Sequence, residues 1–127
     1  MDREEMSNEE NYAFDTAGYL HIRGVLIRQE VDALHGALDD GDKTEGMLGW
    51  PAPLRGPFRD LLVHPQLVWY LNQIIGYGFR LDQAPRLLGH REGEVGAPLA
   101  GGDEPRNPSR AYYYQNGRRY CQEVRAI

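Results

Sequence analysis

His90, Arg91 and Glu92 form the one His-x-Glu triplet in this sequence. Residues two apart on a strand project from the same face, so an imidazole and a carboxylate at this spacing could grip a divalent metal such as iron(II). The triplet also sits beside Gly93, where a solvated strand end accounts for it equally well. The other histidines stand alone. His21 falls on the polar side of an alternating stretch, His35 on the apolar edge of a helical pattern, and His64 directly before Pro65. A histidine with no partner at ligand spacing is ordinarily structural. Tyr112, Tyr113 and Tyr114 could line a substrate pocket, although aromatic residues in a hairpin more often pair across strands. Cys121 is the only cysteine, so there is no internal disulfide and no structural zinc site made of cysteines; a small apolar filler in a strand is its ordinary role.

The elements that must carry these residues follow from the period of the apolar positions. Ser7 and Glu10 have the spacing of a capping box, Tyr12 and Phe14 give the helix behind them an apolar side, and Gly18 stops it. Residues 19–23 alternate, with Leu20 and Ile22 on one face, which predicts a half-buried strand. From Arg28 to Asp39 the positions Val31, Leu34, His35 and Leu38 recur at helical spacing, and Gly41 ends the pattern. The Gly- and Pro-rich residues 41–57 predict a surface connection anchored by Trp50. Phe58, Leu61 and Leu62 make a short helix, His64-Pro65 interrupts it, and Leu67, Tyr70, Leu71, Ile74 and Ile75 describe a second helix ending at Gly76.

Beyond Gly76 the apolar period changes from 3.6 to 2. Strands are predicted at residues 79–82, around Leu87 and Leu88, and from Ala111 onward. Asn116-Gly117 forms the turn of a hairpin, because both central positions of a type I′ turn need positive φ. Residues 101–108 form a polar loop, and residues 124–127 keep a strand rhythm to the last position. Helices first and strands later predict an α+β class with a mostly antiparallel sheet. We expect one domain over residues 1–127, with 1–76 mainly helical around one early strand and 77–127 mainly β.

The 127 residues are 41% hydrophobic, enough for a packed core, and no apolar run approaches the ~20 residues of a bilayer span. The acidic N-terminus resembles neither a secretory signal nor an Arg-rich transit peptide, which makes the cytoplasm the default location and a membrane partner unexpected. A net charge of −5 argues against nucleic acid as a partner, since phosphate binding relies on Lys and Arg displacing counterions. Eight of the 14 basic residues lie from Arg80 onward. This enrichment suits an anionic small molecule or simply a solvated strand face.

Residues 15–26 (DTAGYLHIRGVL) lead into the acidic helix that contains EVDAL. They are followed by residues 62–85 (LVHPQLVWYLNQIIGYGFRLDQAP), by Gly93, Gly96, Leu99, Gly101 and Gly102, and by residues 105–120 (PRNPSRAYYYQNGRRY). In this order and spacing the chain resembles the N-terminal part of the phytanoyl-CoA dioxygenase-like iron(II)/2-oxoglutarate-dependent oxygenases. The resemblance runs from about residue 12 to residue 127.

It implies N-terminal helices packed on part of a double-stranded β-helix, a jelly-roll of cupin-like form. It also implies iron(II) held by two histidines and a carboxylate, 2-oxoglutarate as co-substrate, and a small organic substrate to be hydroxylated. In that family the first iron histidine follows the Leu before the Gly-Gly pair, which is Ala100 here, and a methyl group cannot ligate a metal. The usual His-x-carboxylate spacing falls on Gly102; Asp103 and Glu104 are the nearest carboxylates. His90, Glu92 and Asp103 are therefore the candidate metal ligands, and the family's Pro-Gly-Ser-His-type segment, with the second iron histidine, would begin where these residues end.

The chain is accordingly expected to be incomplete or inactive as an oxygenase, to hold iron weakly or not at all, and to self-associate through its final strand. The alternative is a non-catalytic homologue acting as a small binding or dimerisation module. A third possibility is an unrelated small α+β binding domain.

Overall fold

The computed structural model describes residues 3–41, 43–89, 92–94 and 111–127. It is an α+β chain with four α-helices, one 3-10 turn and a two-stranded antiparallel sheet among those residues. The helices are α1 (Asn8–Ala17), α2 (Arg28–Gly41), α3 (Gly56–Leu62) and α4 (Pro65–Ile74), and the strands are β1 (Tyr112–Gln115) and β2 (Arg118–Cys121). No helix among the described residues is long and apolar enough to cross a membrane.

Local chemistry sets most of these boundaries. Ser7 accepts the Glu10 N–H at 3.1 Å while Glu10 accepts the Ser7 N–H at 2.9 Å, the reciprocal capping box that starts α1. Gly18, at φ 78°, ends it by donating its N–H to the Phe14 carbonyl. Glu30 reaches back to the Ile27 N–H at 2.8 Å and so satisfies a free donor at the start of α2. Asn116 at φ 54° and Gly117 at φ 72° form the predicted two-residue turn, with Tyr113 opposite Tyr120 and Gln115 opposite Arg118.

Four expectations are corrected. Residues 19–23 and 79–82 are not strands, and residues 122–127, including the stretch expected to continue the last strand, are irregular because β2 stops at Cys121. Near Leu87 and Leu88 there is only an isolated antiparallel bridge between Glu45 and Arg86, accompanied by a hydrogen bond from the Leu87 N–H to the Thr44 carbonyl. Alternation alone forms no strand when no partner backbone lies alongside to take the hydrogen bonds.

The described residues gather into two compact units. The first comprises residues 3–21, 69–79 and 111–127, and the second residues 22–41, 43–68, 80–89 and 92–94. The core of the second unit is Ala37, Met47, Trp50 and Phe58, with Leu34, Leu38, Leu48 and Leu54 packed around it. Trp50 meets Phe58 edge to face at 5.6 Å, and α2 and the 3-10 turn (Met47–Gly49) both pack against α3. Trp50 thus anchors the Gly- and Pro-rich connection as its sequence suggested. In the first unit Met6, Phe14, Tyr70, Ile74 and Cys121 are buried. A single hairpin is marginal by itself, so β1 and β2 depend on the packing of their inner face.

Candidate functional site

Of the three residues singled out as metal ligands, Glu92 is exposed in a turn, while His90 and Asp103 lie outside the described residues, as do Ala100 and Glu104. Among the described residues no three His, Cys, Asp or Glu side chains gather as an iron site requires. The described part of the chain therefore does not fit the metal that the family resemblance implies. His21 and His35 are exposed, the latter contrary to the apolar edge expected for it.

His64 is the histidine that joins a cluster, in the second unit. It ends the α3–α4 corner, where its N–H donates to the Leu61 carbonyl and its own carbonyl accepts from Val68. Its side chain lines a groove of about 220 Å³ whose walls are α2 and α3. Leu26, Ala33, Leu34, Pro57 and Leu61 supply apolar surface there, and Gln29, Glu30 and Asp60 supply polar groups. His64 Nε2 lies 3.4 Å from Glu30 Oε1, and the imidazole is 14% exposed. Glu30 Oε2 accepts the Ile27 N–H, so the carboxylate is fixed by its own helix before it meets the ring. The other ring nitrogen of His64 is Nδ1. That atom is buried and has no hydrogen-bond partner. The arrangement can offer acceptors and negative charge at the edge of an apolar cleft.

Two polar networks shape the first unit. Arg3 holds Glu10 at 2.6 Å, and the Tyr70 hydroxyl accepts from Arg3 at 2.7 Å and donates to Glu10 at 2.8 Å, with the Arg3 guanidinium 4.9 Å from the Trp69 ring centre. The Arg3 hydrogen bond holds the Glu10 carboxyl down at about 2, against the desolvation that would raise it. Burial, aided by Glu10, pushes the Tyr70 phenol up.

In the second network the Tyr112 hydroxyl donates a hydrogen bond to Asp15. Arg119 pairs with Asp15 at 3.1 Å, donates to the Gln73 carbonyl at 3.4 Å and lies 5.2 Å from the Phe14 ring centre. Burial first, and then the bond to Asp15, push the Tyr112 phenol up. Tyr112 thus fastens the hairpin to α1, and Tyr113 stacks on Tyr120 at 4.7 Å as a cross-strand pair, while Tyr114 is exposed. Cys121 is a buried free thiol, raised by that burial, and fills the inner face of β2 as expected.

The Glu30–His64 pair escaped sequence reasoning because its partners are far apart in the chain. The one local signal was Glu30 in the first turn of α2, which predicts a bond to the helix start and says nothing about a histidine beyond α3. Comparison with protein families, curated proteins and solved structures finds no match to this chain.

Proposed function

We propose that the chain is a phytanoyl-CoA dioxygenase-like homologue, carrying the N-terminal helices and part of the sheet of an iron(II)/2-oxoglutarate-dependent oxygenase that hydroxylates a small organic substrate. In this reading the 127 residues do not by themselves hold iron(II). The observation that carries it is the order of elements: a capped helix, an acidic helix, a Gly/Pro-rich connection, two helices separated at His64-Pro65, and then a hairpin turned at Asn116-Gly117. The hairpin would be part of a jelly-roll sheet; Tyr112 and Arg119 join it to α1 through Asp15. Ala100 at the expected first ligand position supports the iron-free part. Self-association through the final strand belongs to the same reading.

An anaerobic calorimetric titration with iron(II), with and without 2-oxoglutarate, tests it. Weak or no binding is expected, because one or two ligands rarely retain iron(II) against water. Stoichiometric micromolar binding at neutral pH would contradict it, and loss of that binding in His90→Ala or Glu92→Ala would then place the metal on the His-x-Glu pair.

A second reading, a non-catalytic binding module of the cytoplasm, is favoured by the groove between α2 and α3, which is formed without any residue of the proposed metal set.

A further inference from the structure

We propose that the α2–α3 groove of the second unit binds a small organic ammonium ion with an apolar body; the inference rests on the binding-module reading. Its polar equipment is one-sided. Glu30 from α2 and Asp60 from α3 bring carboxylates to opposite walls, and no Lys or Arg is among the lining residues. His64 keeps Nε2 against Glu30, and its Nδ1 is buried without a hydrogen-bond partner. Gln29 can donate as well as accept. An anion would meet two carboxylates without a compensating cation, and a neutral hydrocarbon would leave the acceptors with water alone.

An ammonium group supplies both the N–H donors and the charge this rim lacks, while Leu26, Ala33, Leu34, Pro57 and Leu61 offer surface for a hydrocarbon body. The volume of about 220 Å³ has room for roughly seven water-sized groups, the size of a six-carbon amine. Asp60 is exposed and its carboxylate makes no hydrogen bond or ion pair among the described residues, so it is free to take a ligand.

The test is an NMR titration of the full chain, free of iron and 2-oxoglutarate, with four probes: hexylammonium, hexanol, hexanoate and methylammonium. Hexylammonium should move the amides of residues 26–34 and 57–64 with a dissociation constant on the order of 1 mM, within the range open to seven heavy atoms. Hexanol, hexanoate and methylammonium should each bind at least about fivefold more weakly. Asp60→Asn should weaken hexylammonium about fivefold and leave hexanol unchanged, as loss of one partly exposed ion pair predicts. Glu30→Gln, which keeps the bond to the Ile27 N–H, should do the same. Hexanol binding as tightly as hexylammonium would overturn the ammonium assignment while leaving the groove a binding site. Hexanoate binding more tightly would also overturn it, and no shifts from any probe would overturn the assignment and the binding-module reading together.

Discussion

Gly41→Ala should lower the stability of the chain although it replaces glycine by the best helix former. Gly41 is the last residue of α2, and a Cβ built on it would lie 2.3, 2.5 and 2.8 Å from Cζ3, Cη2 and Cε3 of Trp50. Carbon atoms settle at about 3.5–4.0 Å, so the indole would have to withdraw by over about 1 Å. It has little room to do so, being 7% exposed, in edge contact with Phe58 and next to Met47, which is 2% exposed. Overpacking a filled core costs about 1–3 kcal/mol, whereas the helix-propensity gain is at most about 1 kcal/mol and smaller at a helix end.

The balance is a loss of about 2 kcal/mol, which for a domain of this size lowers Tm by roughly 6–10 °C. Gly36→Ala is the internal control: it lies within the same helix, is exposed and meets nothing within 4 Å, so Tm should rise by a few degrees, following a gain of about 0.5–1 kcal/mol. Thermal unfolding followed by far-ultraviolet circular dichroism reads both. In a Trp50→Leu background, already less stable, Gly41→Ala should cost nothing further. A Gly41→Ala chain that melts at or above the parent, or that loses as much in the Trp50→Leu background, would refute the packing argument.

Ser7→Ala removes the side-chain half of the capping box and should destabilise by about 1 kcal/mol in urea unfolding; an unchanged midpoint would show that the cap contributes nothing. Glu10 sits at about 2 in the folded chain against an ordinary 4.5, so the folded state binds this proton less readily. Its stabilisation is therefore present above about 4.5 and is lost as pH falls toward about 2. Urea midpoints of the parent should drop across that window relative to Glu10→Gln, and parallel curves would refute the Arg3–Glu10 linkage. Arg119→Ala leaves Asp15 and the Gln73 carbonyl short of a partner, and the loss of roughly 2–3 kcal/mol should appear as faster hydrogen exchange throughout β1 and β2, with Tyr112→Phe acting in the same direction.

The features that sequence reasoning captured are those whose chemistry is local. Ser7 with Glu10, Gly18 and Asn116-Gly117 each satisfy or permit backbone geometry within a few residues, and all three occur as expected. The stretch 19–23 shows where this stops. Leu20 and Ile22 are half-buried and Tyr19, His21 and Arg23 exposed, so the alternation identified the faces correctly, but a strand also needs a partner backbone, which no local pattern encodes. At residues 79–82 even the faces fail, since Leu81 is exposed alongside Arg80 and Asp82. The groove could not be read in advance because it depends on α2 meeting α3, and the approach of Gly41 to Trp50 is a consequence of how the connection folds back. The His-x-Glu pair had a spacing but no third ligand, and of its members only Glu92 is among the described residues.

The proposed kinship with the iron(II)/2-oxoglutarate oxygenases places Ala100 where the first ligand should be, and restoring that ligand tests the kinship directly. Anaerobic calorimetry of Ala100→His against the parent should show iron(II) binding tightened by about tenfold, since each added imidazole at a correctly placed site contributes on the order of 1–2 kcal/mol, and Asp103→Ala in the same chain should remove part of the gain. An Ala100→His chain that binds iron(II) no better than the parent would contradict the placement of Ala100 at the metal and, with it, the family reading.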